Sequence, residues 1–116
     1  MKEFVMIFRS NPQMEGQASA DEMQRMVNSW QNWMGSMAAQ NKLVSSGNRL
    51  GYDGRSVKPG NLVTNGPYVE IAEMVGGYIV VRAESIDEAA EMAKGCPMII
   101  GGVGVVEVRD IIPMNG

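Results

Sequence analysis

The sequence predicts an α+β domain, and three observations lead to this class. Apolar runs bounded by charged or turn-forming residues predict strands, of which 4–8 and 78–82 are the clearest. Two S-x-x-E capping boxes, beginning at Ser19 and Ser85, each start a helix after one of those strands. Each half of the chain is therefore predicted as strand, capped helix and further strand. Two such halves predict a ferredoxin-like βαββαβ fold, with an antiparallel sheet and two helices on one face.

The first helix is predicted from its cap at Ser19 to about residue 39, because apolar residues recur at steps of three and four. This stripe consists of Met23, Met26, Val27, Trp30, Met34 and Met37. We expect it to face the core, although a methionine-rich surface also suits docking to a partner. The second helix begins after Ser85 and closes at Lys94 and Gly95, and Cys96-Pro97 prevents its continuation.

The remaining elements are short and are predicted from weaker patterns. A strand at 42–45 is interrupted by Ser46-Gly47-Asn48, and the glycine-rich stretch 49–60 indicates a loop with a brief strand near Val57. Further strands are predicted at 61–64 and 105–109, with a short helical turn at 69–74.

One layer of helices covers only one face of a sheet, and the strand at 78–82 is apolar on both faces. The uncovered face must be solvated, line a ligand cavity or pack on another subunit. Because its apolar residues favour burial, we expect a homodimer in which two sheets face each other. A dimer interface below about 1,000 Å² would contradict this expectation.

Composition excludes several kinds of site and partner. The 116 residues contain no histidine and one cysteine, Cys96, so a Ser-His-Asp triad, an HExxH zinc site, a CxxC motif and an internal disulfide are all impossible. The net charge of −3 and the scattered basic residues argue against nucleic acid. No apolar run approaches the roughly 18 residues of a membrane span, and 4–8 is too short for a signal peptide. We expect one cytoplasmic domain over 1–116, with Cys96 buried and inert.

Neither a metal nor a cofactor is expected. The segment Gly101-Gly102-Val103-Gly104 has the glycine content of a phosphate-binding loop, but a strand follows it where such a loop requires a helix.

The segment 65–97 resembles the YCII-related family, specifically its DGPF-type members. The motif of that family runs Asp-Gly-Pro-Phe, then two spaced glutamates, a Gly-Gly-aromatic strand and an Asp-Glu-Ala helix that ends in proline. The matching residues here are Asn65-Gly66-Pro67-Tyr68, Glu70, Glu73, Gly76-Gly77-Tyr78, Asp87-Glu88-Ala89 and Pro97. The closing strand Val106-Glu107-Val108-Arg109 also resembles that of the family.

The resemblance implies a ferredoxin-like fold that forms a dimeric α/β barrel. Some relatives in the wider superfamily carry a His-Asp pair that acts on small lactone-like or chlorinated ring acids. This chain departs from them in two ways, since it has no histidine and places Asn65 where the motif has aspartate. A neutral amide cannot act as a general base, so the dyad does not carry over.

Each candidate site residue can be interpreted either as part of a ligand-binding or catalytic site or as an ordinary structural residue. Asn65 and Tyr68 belong to a turn that can also deliver them to the mouth of a cavity. Glu70 and Glu73 share a face if they form one helical turn, which would let them divide acid and base roles, or they are solvated acids. Of these two, Glu70 is nearer to the motif turn.

The basic and aromatic candidates lie elsewhere. Arg9, like Arg49, Arg82 and Arg109, lies at a predicted strand end, where it would hold a carboxylate ligand or form a surface ion pair. Tyr52 would cover a pocket as part of a lid, or belong to an ordinary exposed loop.

Three functions remain. The first is a dimeric module that binds or senses a small organic acid, without the His-Asp dyad, through Asn65, Tyr68, Glu70, Arg9 and Tyr52. The second is a lyase or isomerase acting on a small acid or lactone, with Glu70 as base, Tyr68 or Tyr52 as acid and an arginine that binds the anion. The third is a regulatory protein–protein interaction domain.

Overall fold

The computed structural model describes residues 1–10, 19–66 and 74–114. Six strands and three helices follow one another in the order β1 (Lys2–Ser10), α1 (Ala20–Ala39), β2 (Leu43–Arg49), β3 (Arg55–Lys58), β4 (Leu62–Asn65), β5 (Met74–Ala83), α2 (Ile86–Ala93), α3 (Pro97–Ile100) and β6 (Gly104–Asp110). None of the helices in these ranges combines the length and the apolar character needed to cross a membrane.

The main sheet has four strands in the order β2-β5-β1-β6, and every neighbouring pair is antiparallel. The two central strands, β1 and β5, are thus the opening strands of the two βαβ halves, and the closing strands β2 and β6 lie at the edges. This is the ferredoxin-like arrangement, and it confirms the predicted fold class and the predicted antiparallel sheet.

The core lies between one face of the sheet and the helices. Alternate residues of β1, namely Phe4, Met6 and Phe8, are buried on this face, as are Ile79 and Val81 of β5. The Phe8 ring forms edge-to-face contacts with Trp30 and Trp33 of α1, with centroid distances of 5.0 and 6.1 Å. The Trp33 indole also donates a hydrogen bond of 3.0 Å to the Met92 carbonyl, which ties α1 to the end of α2.

Both predicted helix caps form. The Ser19 hydroxyl accepts from the Glu22 amide at 3.2 Å, and the Ser85 hydroxyl accepts from the Glu88 amide at 3.1 Å. The Glu88 carboxylate pairs with Lys42 at 3.0 Å, so it links α2 to the start of β2.

The methionine stripe of α1 is only half in the core. Met37 is buried and Met34 packs against the core, whereas Met23 and Met26 at the start of the helix remain 58% and 51% exposed. The expectation that the whole stripe faces the core is therefore wrong for the first turns.

Two local predictions also need correction, and one short helix was not predicted. Strand β2 continues through Gly47 to Arg49. Its pairing with β5 shifts register between Ser45 and Asn48, so the strand accommodates Gly47 without ending. Helix α2 does end before Cys96-Pro97, as predicted, but Pro97 also begins the unpredicted short helix α3, since proline is well suited to the first helical position. Met74 belongs to β5, and the rest of the predicted helical turn lies outside the described residues.

Strands β3 and β4 form a separate two-stranded hairpin, which confirms the brief strands predicted near Val57 and at 61–64. Val57 and Val63 are cross-strand partners in it, and both are more than half exposed. The molecule is flat, with extents of 47 × 45 × 18 Å. Its radius of gyration is 15.7 Å, against about 13 Å for a compact domain of similar length.

Candidate ligand-binding face

No helix of the described residues lies on the sheet face opposite α1 and α2, and we refer to this face as the open face. Side chains alternate between the two faces of a strand, so the residues that flank the buried ones point to the open face. They are Glu3, Val5, Ile7 and Arg9 of β1, Tyr78, Val80 and Arg82 of β5, and Val105, Glu107 and Arg109 of β6.

The strand register arranges these side chains in rows across the sheet. Asn48 of β2 lies opposite Tyr78, and Ile7 lies between Tyr78 and Glu107. In the next row, Val5 lies between Val80 and Arg109. The centre of the open face is therefore apolar. Polar groups lie toward the β2 and β6 edges and, as Glu3 opposite Arg82, at one end of the two central strands.

Arg9 and Glu107 form an ion pair toward the β6 edge, with 3.1 Å between Nε and Oε1. Their side chains are 29% and 38% exposed, so the pair contributes little to stability while it fixes the direction of the guanidinium. Among the described residues, the open face carries three arginines and two glutamates, an excess of one positive charge. A positive excess attracts negatively charged groups.

Asn48 and Tyr78 form the polar group toward the β2 edge. The Asn48 side-chain amide donates a hydrogen bond of 2.9 Å to the Tyr78 hydroxyl oxygen. Sequence reasoning missed both residues as site candidates. They lie 30 positions apart, and only the register of β2 against β5 brings them together.

Two of the other predicted site residues lie outside the four-stranded sheet that carries Arg9. Asn65 ends β4 and pairs with Arg55 in the hairpin, and Tyr52, 49% exposed, lies in the loop that precedes the hairpin. Neither residue belongs to the four-stranded sheet. Tyr68, Glu70 and Glu73 lie outside the described residues.

No group of histidine, cysteine, aspartate or glutamate residues in the described ranges has the arrangement needed to hold a metal ion. The cysteine is fully buried, as predicted, and its burial raises the pKa of the Cys96 thiol. Contacts with the backbone of Met98 and Ile99 oppose this shift in pKa only in part.

We expect the raised pKa of Cys96 to make stability fall at alkaline pH. The native state holds the thiol proton more tightly than the unfolded chain, so the stabilisation is complete below the unfolded pKa of about 8.5 and is lost as pH rises through the higher native pKa. One proton changes the free energy of unfolding by at most about 1.4 kcal/mol per pH unit. Urea unfolding of the wild type and of Cys96→Ala at pH 8 and pH 10 measures the effect. Equal losses in both proteins would contradict it.

The fold and the open face together define a ferredoxin-like α+β domain. Within the described ranges, one face of its sheet carries no helix, is apolar in its centre and has one more positive than negative charge. The family model of the YCII-related domain matches residues 3–115. The chain belongs to this family, in agreement with the motif at 65–97.

The structural comparison identifies a protein with the same fold. This is the 5-chloro-2-hydroxyhydroquinone dehydrochlorinase TftG from Burkholderia phenoliruptrix, in complex with 2,5-dihydroxybenzoquinone. The similarity has a TM-score of 0.53 at 15% sequence identity, and it covers 97% of this chain and 96% of that one. Among curated protein sequences, no match to the chain is found.

Proposed function

We propose that this protein is a homodimer that binds a small organic acid between two apposed open faces. The observation that carries the proposal is the uncovered apolar centre of the sheet, flanked by the half-buried Arg9–Glu107 pair. Val5, Ile7 and Val80 are only partly buried in the single chain, and a second copy would bury them. A ligand carboxylate would then approach the Arg9 guanidinium in a site shielded from water.

The flat shape of the chain supports this assembly. A thickness of 18 Å leaves room for only two layers, one of helices and one of sheet. A second chain would cover the open face and leave the helices of both chains on the outside.

We also propose a cytoplasmic location for this protein, because its single thiol, Cys96, is fully buried and free. Fractionation of expressing cells tests this location.

The likeness to TftG supports ligand binding by a chain of this fold, since that protein is seen with a substituted quinone. It does not support transfer of the reaction, because this chain lacks the histidine of the His-Asp dyad found in some relatives. The lyase or isomerase alternative depends on Tyr68 and Glu70, which lie outside the described residues. The interaction-domain alternative agrees with the exposure of Met23 and Met26, but no charge pattern around them specifies a partner. Binding alone is therefore the function we propose.

We expect sedimentation velocity to give twice the chain mass of 12.6 kDa for the wild type. Replacing Ile7 by glutamate should produce a monomer, because it buries a charge at the centre of the proposed interface. Val57→Glu, on the hairpin, is the matched control and should remain dimeric, since Val57 is 71% exposed. A monomeric wild type, or a dimeric Ile7→Glu variant, would exclude the sheet-to-sheet dimer.

The ligand is tested in the same preparations with benzoate, 4-hydroxybenzoate, γ-butyrolactone and 2,5-dihydroxybenzoquinone. Thermal shift identifies which compounds bind, and titration calorimetry then gives the dissociation constants. Arg9→Gln should weaken carboxylate binding about tenfold or more, because it removes a charge-assisted hydrogen bond worth about 1.5–3 kcal/mol. The matched control is Arg25→Gln on exposed α1. Failure of the wild type to bind any of the four compounds would count against the proposed function.

A further inference from the structure

The Asn48–Tyr78 pair has unused hydrogen-bonding capacity on the open face. The Tyr78 hydroxyl oxygen accepts the hydrogen bond of 2.9 Å from Asn48, so its own proton remains free to be donated. It donates to no residue in the described ranges, and the Asn48 amide oxygen accepts no hydrogen bond from them either. The pair therefore presents one donor and one acceptor side by side. A ligand hydroxyl group, which both accepts and donates, is complementary to such a pair.

The backbone holds this pair in place through two glycines. Gly47 has a φ of +61°, and a Cβ atom there would lie 1.7 Å from the Tyr78 carbonyl oxygen. A Cβ atom on Gly77 would lie 2.9 Å from the Asn48 carbonyl oxygen. Strand β2 can approach β5 this closely only because neither residue has a side chain. The approach occurs beside Asn48 and Tyr78, and it sets the position of their polar groups.

The Asn48–Tyr78 pair and the Arg9–Glu107 ion pair lie on opposite sides of Ile7 in the strand register. Tyr78, Ile7 and Glu107 occupy successive strands of one row, and Arg9 contacts Glu107. Neighbouring strands lie about 4.8 Å apart, so the Cα atoms of Tyr78 and Glu107 are separated by roughly 10 Å. One six-membered ring with oxygen substituents at opposite ends, and a hydrogen bond of about 2.8 Å at each end, spans a distance of this order. Ile7, Val5 and Val80 provide an apolar surface on which such a ring would lie.

We propose that Tyr78 determines ligand specificity, and that the open face selects a planar acid with a hydroxyl group opposite its carboxylate. In this arrangement Arg9 holds the carboxylate, the Tyr78 hydroxyl donates to the ligand hydroxyl oxygen, and the Asn48 amide oxygen accepts its proton. Asn48 therefore has two roles: it positions the Tyr78 phenol, and it contacts the ligand hydroxyl group. The inference rests on the proposed function, because it requires that the open face binds a small acid.

The test compares 4-hydroxybenzoate with benzoate, which lacks the distal hydroxyl group. Titration calorimetry should show that the wild type prefers 4-hydroxybenzoate by about fivefold to thirtyfold, the range for one or two neutral hydrogen bonds of about 1 kcal/mol each. Tyr78→Phe should abolish that preference and leave the affinity for benzoate within about twofold. Asn48→Ala should reduce the preference by a smaller factor, because the phenol remains but loses its orienting donor.

The readout is the ratio of the dissociation constants for benzoate and 4-hydroxybenzoate. If Tyr78 had only a structural role, its replacement would change both constants together and leave this ratio unaltered. A Tyr78→Phe variant that keeps the wild-type preference overturns the inference, and so does one that loses both probes equally while its thermal unfolding is unchanged. If the wild type binds the quinone, which is acidic through its enolic hydroxyl groups, but neither carboxylic acid, this inference fails and the proposed function stands. If it binds only the lactone, which is not an acid, both fail. If the wild type binds none of the compounds, both fail.

Discussion

Gly47→Ala should lower the free energy of unfolding by about 3–5 kcal/mol, enough to unfold a large share of a marginally stable domain. The φ of +61° at Gly47 costs an L-residue about 1–2 kcal/mol by itself. The added Cβ atom would also lie 1.7 Å from the Tyr78 carbonyl oxygen. That oxygen belongs to the backbone of a central strand, so it cannot move without separating β2 from β5.

Two alanine variants separate these contributions in urea unfolding experiments. Gly60 has a φ of +87° with nothing within 4 Å of an added Cβ atom, so Gly60→Ala should show the backbone cost alone. Gly35 lies inside α1 with open space around it, so Gly35→Ala should stabilise the protein by up to about 1 kcal/mol. A Gly47→Ala variant no less stable than Gly60→Ala would show that the close approach of the strands is not required.

Phe8→Ala should cost about 3–5 kcal/mol, the usual range for removing a buried aromatic side chain. Phe8 is 7% exposed and lies between β1 and α1, where its ring meets both tryptophans of the chain edge to face. These contacts add about 0.5–1.5 kcal/mol beyond the burial of apolar area. Few neighbours can move into the space, because Trp30 and Trp33 also contact each other, with centroids 5.6 Å apart.

The measurement is urea unfolding followed by fluorescence, which reports on this cluster because the chain has only two tryptophans. Phe8→Leu retains much of the volume and is the matched control, with an expected cost nearer 1 kcal/mol. A loss below about 1.5 kcal/mol for Phe8→Ala would mean that the aromatic cluster is not a main source of stability.

Much of the fold could be predicted because its signals are local. The S-x-x-E patterns at Ser19 and Ser85 fix the starts of two helices through backbone amides only three residues away. The exposed first turns of α1 could not be predicted, since the 3.6-residue period shows which residues share a side but not how far the neighbouring layer extends. Whether Met23 is covered depends on the length of the sheet beneath it.

The candidate site was predictable only in part, for a similar reason. Arg9 stood out because it is a cation at the end of an apolar run, and its ion pair with Glu107 lies on the open face. Asn48 lies in a segment where local sequence preferences predict the end of a strand, because Ser46, Gly47 and Asn48 all favour turns. Its role follows from long-range strand pairing, and a shift of one residue would have turned it to the opposite face.

The pairing of β2 with β5 also has a topological consequence. Leu50 donates a backbone hydrogen bond of 2.9 Å to Gly76, so the chain leaves and re-enters the main sheet at adjacent positions. The whole stretch 51–73, with its own β3–β4 ladder, is in effect one long insertion into a β-hairpin. Doubling the length of such a connection costs only about 0.6 kcal/mol of loop-closure entropy. A change in the length of this stretch should therefore leave the register of the four-stranded sheet unaltered.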